Sequence, residues 1–250
     1  MSLANQFAAY TAWRSRLSSH VGEFQGWLNK NELSDGQTDL RLTQLLERLR
    51  EDRLNVAFVA EFSRGKSELI NAIFFADYGN RMLPSSAGRT TMCPTELLFD
   101  ASKQPCIELL PIQTRATNSG VTEYKSFPDE WTVVALDTES PDAMQDALRH
   151  VSETTRVAPE EAARLGFEVG QGEVELYRIG ADGLVEVPRW RHAMINFPHP
   201  LLKQGLVILD TPGLNAIGAE PELTLSQLPN AHAVLFILAA DTGVTQSDLA

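Results

Sequence analysis

A three-layer α/β/α fold on a mostly parallel sheet, preceded by a helical bundle element, is the architecture this sequence predicts, on three observations. A strand, a polar loop and a helix follow one another over residues 55–74, with Gly65-Lys66-Ser67 at the loop–helix junction. A second apolar run, Leu206-Val207-Ile208-Leu209, leads straight into Asp210. Before both, the first fifty residues carry apolar side chains at helical spacing.

The composition suits one sizeable core plus an accessory element: 250 residues, 43% hydrophobic and 22% charged. A formal net charge of −12 repels phosphate backbones and anionic headgroups, which argues against a general nucleic-acid or membrane grip. Cys93 and Cys106 are too few for a disulfide framework and lack zinc-ligand spacing, so they read as free thiols in a reducing compartment. No apolar run approaches the roughly 18 residues of a membrane span, and the N-terminal stretch lacks the pattern of a secretory signal, so the cytoplasm is the expected location.

Along the chain, Phe7, Tyr10, Trp13, Leu17, Val21, Phe24 and Leu28 trace the seam of a long amphipathic helix. A polar break over residues 29–37 precedes a second helix marked by Leu42, Leu45, Leu46 and Leu49, for which Thr38 or Asp39 is the expected N-cap. Residues 55–60 then read as a strand and 69–74 as a helix. Two more strands are expected at 94–99 and 106–112, joined by a polar turn. Further on, Ser140-Pro141-Asp142 caps a helix running to Val151, and Pro159 and Gly166 bracket a shorter one. Residues 174–177 and 183–187 are expected to form a hairpin. Segment 191–197 is a further apolar run, 206–209 a strand buried on both faces, 233–240 another buried strand, and 245–250 the start of a helix.

The chemistry concentrates in Ala60-Glu61-Phe62-Ser63-Arg64-Gly65-Lys66-Ser67, one substitution from the phosphate-loop pattern G-x-x-x-x-G-K-[ST] of P-loop NTPases. Backbone N–H groups converging at a helix N-terminus attract anions, Lys66 reaches the β- and γ-phosphates, and the Ser67 hydroxyl ligates Mg²⁺. The contacts expected for the nucleotide are therefore Glu61, Phe62, Ser63, Arg64, Gly65, Lys66, Ser67 and Glu68. Asp210, at the carboxyl end of a buried strand, is placed to hold Mg²⁺, and Gly213 in Asp210-Thr211-Pro212-Gly213 lets a main-chain N–H approach the γ-phosphate. A third contact is expected from the polar segment 84–94, where Thr91 is the preferred metal-binding and catalytic hydroxyl and Thr90 and Thr95 are rivals. Arg64 either supplies charge to the transition state or is a solvent-facing loop arginine. The five histidines show no ligand spacing and read as structural.

These segments together resemble the dynamin superfamily, in particular the bacterial dynamin-like GTPases. Residues 59–73 are similar to that family's phosphate loop, Thr90-Thr91-Met92-Cys93-Pro94 to its first switch, 197–214 to its second-switch strand and 231–245 to the strand and loop that follow. The resemblance implies an N-terminal helical segment over 1–54 and a GTPase domain over 55–250, with an insertion at about 113–190 and its C-terminal part missing. It also implies GTP as substrate with Mg²⁺, a homodimer formed through the nucleotide face, and remodelling of a membrane reached through parts absent from this chain, which would place the protein peripherally at the inner membrane face. Two positions depart from the pattern: Phe62 stands where dynamins commonly place a glutamine, and Leu214 where Ras-like enzymes keep one. Neither can polarise water, which favours a second reading, a slow-turnover nucleotide switch that recruits a protein partner. No base-reading [NT]-K-x-D follows Asp241, so ATP remains an alternative to GTP.

Overall fold

A computed structural model describes residues 3–50, 53–60, 65–79, 81–83, 93–117, 119–167, 179–211 and 231–238. The chain divides into two compact units, Met1–Leu54 and Asn55–Ala250.

The first unit is a pair of helices, α1 (Leu3–Lys30) and α2 (Gly36–Arg50). Gln25 Nε2 of α1 donates to Asp39 Oδ1 at 2.7 Å and to Thr43 Oγ1 at 3.1 Å on α2, fixing their register. The expected cap is corrected: Asp35 Oδ1 accepts from the Thr38 N–H at 2.6 Å, so α2 begins at Gly36, earlier than a cap at Thr38 or Asp39 would place it. Asp35 wins because its carboxylate reaches the orphan N–H of the first turn, while Asp39 is already inside the helix. The expected apolar seam of α1 is only partly covered, since Leu28 is buried while Tyr10, Trp13 and Phe24 are exposed.

Among the described residues, the second unit is built on a seven-stranded sheet in the order β4-β3-β7-β2-β8-β1-β9. Its strands are β1 (Leu54–Ala60), β2 (Thr95–Leu98), β3 (Cys106–Pro111), β4 (Thr132–Ala135), β7 (Trp190–Asn196), β8 (Leu206–Asp210) and β9 (Ala233–Ile237). The expectation of a mostly parallel sheet is corrected. β1 with β9 and β2 with β7 pair in parallel, but β2 with β8, β3 with β7 and β3 with β4 are antiparallel. The sheet is mixed. Apolar runs announce burial, not direction, and the turn after β2 leads to β3 with β7 inserted between them.

One sheet face carries Phe58, Leu97, Ile107, Ile195 and Ile208, covered by Ile70 and Phe74 of α3 (Lys66–Phe74) and by Met144 and Leu148 of α5 (Pro141–Arg149). The other carries Ala57, Val59, Val207 and Leu209, with Leu110 and Met194 beneath Val121 of the short α4 (Val121–Tyr124). β8 is thus apolar on both faces because it is buried on both. On the second face, Glu96 of β2 is also buried: Lys125 Nζ donates to its two oxygens at 2.7 and 2.9 Å, and His192 Nε2 of β7 lies 3.1 Å away.

α5 is capped as its sequence suggests, Ser140 Oγ accepting from the Ala143 N–H at 3.3 Å. A satellite core of Ile112, Val157, Ala162, Leu165, Phe167, Val185 and Val187 joins α6 (Pro159–Arg164) to a two-stranded sheet. In that sheet β6 (Val185–Pro188) pairs antiparallel with β5 (Thr154–Val157). Of the expected hairpin, Ile179 forms an antiparallel bridge with Val185 across a turn at 180–183, and residues 174–177 lie outside the described residues. β9 is corrected too. It pairs with β1 at the sheet edge and leaves Val234, Leu235 and Phe236 exposed, so it is not a buried strand. The helix expected at 245–250 lies outside the described residues.

Candidate functional site

The start of α3 and the end of β8 meet. α3 starts at Lys66 behind Gly65, whose φ of +82° and ψ of +16° put it in the left-handed region that glycine adopts without penalty. The first residues of α3 are thereby aimed across the sheet edge at β8. Lys66 Nζ stands 3.3 Å from Asp210 Oδ1, and Ser67 Oγ donates to Asp210 Oδ2 at 3.5 Å. All three side chains are buried.

β8 is held on both flanks where it delivers this carboxylate. Asp210 faces Thr95 of β2 in the antiparallel ladder, and the hydroxyl of Thr211, next in the chain, donates to the Phe58 carbonyl of β1 at 2.8 Å. Thr95 spends its own hydroxyl on the Cys93 carbonyl at 3.0 Å and is buried, so among the three threonines considered it is a strand residue.

Electrostatically the pocket is strained in one respect. Burial pushes the Asp210 carboxyl above its usual range, and the Lys66 charge, then the Lys66 and Ser67 hydrogen-bonding groups, pull it back only in part. Oδ1 is buried and receives no geometrically sound hydrogen bond from any described residue, the Lys66 ammonium being an ion-pair neighbour. A buried, under-coordinated carboxylate oxygen beside a serine hydroxyl is a hard-oxygen donor set of the kind Mg²⁺ takes with its waters and substrate phosphates. Among the described residues, no cluster of three or more His, Cys, Asp or Glu could hold a metal by itself.

The other expected contacts divide. The Glu68 carboxylate turns to Arg81 Nη2 at 2.7 Å, so its reading as a phosphate contact concerns only its main-chain N–H in the first helical turn. Glu61, Phe62, Ser63, Arg64, Thr91 and Gly213 lie outside the described residues, as do Thr90 and Leu214. Among the buried polar residues that the sequence did not single out are Glu96, whose partners are 29 and 96 residues away, and Asn71 on α3. For Asn71 a signal existed, since a poor helix former sits among apolar neighbours one turn after Ser67.

With this geometry in place, likeness to known proteins decides the family. The sequence profile described as the dynamin family matches residues 56–250. This chain belongs to the dynamin family. A dynamin-family relative, the bacterial dynamin-like protein of Nostoc punctiforme (strain ATCC 29133 / PCC 73102), is 24% identical over 245 residues, covering 93% of this chain. The chain spans 28% of that relative's length. Two solved chains from work on an oligomerised bacterial dynamin pair, described as providing a mechanism for the long-range sensing and tethering of membranes, also align. One is 20% identical with a TM-score of 0.38, covering 80% of this chain and 23% of its own. The other is 16% identical with a TM-score of 0.42, covering 96% and 35%.

Proposed function

We propose that this dynamin-family chain binds GTP with Mg²⁺ at Gly65, Lys66, Ser67 and Asp210 and hydrolyses it. The observation that carries the reading is the meeting of Lys66, Ser67 and Asp210 at one edge of one sheet. Lys66 leaves Asp210 for the β- and γ-phosphates, and Ser67 Oγ and Asp210 hold the metal. Mg²⁺, when bound, neutralises charge on the phosphate oxygens. The N-terminal end of α3 directs its N–H groups at the phosphates, with Glu61, Phe62, Ser63 and Arg64 completing the loop and Gly213 approaching the γ-phosphate. Thr91 supplies the third oxygen, and Arg64 supplies charge to the transition state. Family membership supports guanine as the base and residues 55–250 as the GTPase portion.

For the whole protein, the proposal extends to a homodimer through the nucleotide face and to membrane remodelling by regions outside this chain, in a protein of the cytoplasm that acts peripherally at the membrane. No described helix is long and apolar enough to cross a membrane. A second reading, the slow switch that recruits a protein partner, is favoured by Phe62 and Leu214, which cannot orient water.

Calorimetric titration of the full-length protein with GTP and ATP, with Mg²⁺ and with a chelator, tests the site. GTP binding that depends on Mg²⁺ is expected, and preference for ATP overturns the substrate assignment. Single-turnover hydrolysis with and without vesicles separates the two readings: stimulated turnover supports the enzyme, tight binding without turnover the switch.

A further inference from the structure

Asn71 lies on α3 one turn beyond Ser67 and on the same side of the helix, where it is buried. Its amide engages the backbone of two residues outside the helix. Oδ1 accepts from the Met82 N–H at 3.1 Å and from the Leu83 N–H at 2.8 Å, and Nδ2 donates to the Leu83 carbonyl at 3.0 Å. The preceding residue is tied as well: the Arg81 carbonyl accepts from Gln145 Nε2 of α5 at 2.8 Å, and the Arg81 guanidinium meets Glu68.

Side-chain packing alone does not need this arrangement. Met82 and Leu83 are already buried in the main core, where apolar attraction is non-directional. A leucine at position 71 would fill the same space and suit the helix better. What the amide adds is direction, because three hydrogen bonds fix the peptide planes at 82 and 83 relative to α3. The chain running on from Leu83 carries Thr90 and Thr91, and it re-enters the described fold at Cys93. There the Pro94 carbonyl accepts from the Ala193 N–H at 2.9 Å, and Thr95 pairs with Asp210. Leu83, before that stretch, is thus referenced to Ser67 through α3, and Pro94 and Thr95, after it, belong to the β2 end that pairs with Asp210.

We infer that Asn71 is a positioning residue of the nucleotide reaction, holding the backbone at Met82–Leu83 in a fixed relation to Lys66 and Ser67. The inference rests on the GTPase reading above. It makes Asn71 matter for the triphosphate, whose γ-phosphate needs the threonine stretch, and not for the diphosphate, which needs only the loop and α3.

The test uses full-length protein carrying Asn71→Leu or Asn71→Asp, with the affinities for GDP and a non-hydrolysable GTP analogue, kcat and KM, and the thermal midpoint measured for each. Asn71→Leu is expected to weaken analogue binding and lower kcat about tenfold, the scale of one or two such hydrogen bonds, with GDP affinity within about twofold of the parent. Asn71→Asp keeps the acceptor for both N–H groups but sets a second, charged oxygen against the Leu83 carbonyl, so a loss of at least about tenfold, again selective for the triphosphate, is expected. If Asn71→Leu does not fold, that selectivity in Asn71→Asp decides. Unchanged values for both nucleotides, or a parallel loss for both with a lowered midpoint, overturns the inference and leaves Asn71 a fold residue. If the parent protein binds neither nucleotide, the GTPase reading itself has failed, and this inference falls with it.

Discussion

The ammonium of Lys66 stands 3.3 Å from the carboxylate of Asp210, and both side chains are buried. Lys66→Ala leaves that carboxylate in a dry site without a counter-charge, and breaking one side of a buried pair costs about 3 kcal/mol or more. Burial already raises the Asp210 carboxyl above its usual range, and losing Lys66 raises it further. A folded-state value above the unfolded one favours folding below the unfolded value and loses that advantage as pH climbs through the folded value. The variant is therefore expected to be destabilised by about 3 kcal/mol at neutral pH and to recover as Asp210 takes up a proton in acid, measured by urea unfolding across pH. Its triphosphate affinity should fall at least about a hundredfold by calorimetry. Unchanged binding refutes the site.

Thr91→Ala should leave GDP affinity within about twofold and slow hydrolysis by at least about tenfold, since a hydroxyl on the metal matters once the γ-phosphate is present. Single-turnover kinetics of Thr91→Ala beside Thr90→Ala assigns the role. A slow Thr90 variant and a normal Thr91 variant would transfer it to Thr90. Thr95 is a poor third choice because its hydroxyl is committed to the Cys93 carbonyl.

The meeting of Lys66, Ser67 and Asp210 was legible because its chemistry is local. Gly65, Lys66 and Ser67 lie at one strand-to-helix junction, and Asp210 ends an apolar run, so residue type and position together suggest the meeting place. Strand order and direction were not legible, because they depend on pairings made across long stretches of chain. Nothing in 94–99 or 106–112 announces that β7 comes between them, or that Asp210 will face Thr95 in an antiparallel ladder. The same blindness hid Glu96, whose charge is matched only once Lys125 and β7 arrive, and the pairing of β6 with β5. At the start of α2 the error was smaller and local: three capping residues lie within five positions, and geometry chose Asp35.

Gly65→Ala isolates the backbone term. An added methyl group meets no described atom within 4 Å, so no clash accompanies the substitution. The cost is conformational, about 1–2 kcal/mol for holding an alanine at a φ of +82°. A drop of that size in unfolding free energy is expected, together with weaker GDP and GTP binding as the loop relaxes away from the phosphate-binding geometry. Equal stability of variant and parent would mean that the loop tolerates another conformation at this residue.

The buried Glu96, next to Thr95 on β2, gives the protein an acid-sensitive element. Burial alone pushes its carboxyl upward, but the hydrogen bond and charge of His192, then those of Lys125, hold it down to about 2, against 4.5 for a free glutamate. A depressed folded-state value means stability that is present above the unfolded value and lost as pH falls through the folded one. The window therefore runs from pH 4.5 down to about 2. Glu96→Gln keeps the shape but removes the charge that Lys125 and His192 satisfy, so the variant should be less stable at pH 7 by about 3 kcal/mol. Its disadvantage should shrink through that acid window, because the parent is then losing the same interaction. Denaturant titrations at pH 7, 4.5 and 3 read this directly, and a gap that stayed constant with pH would show that Glu96 stabilises the fold by packing and not by its charge.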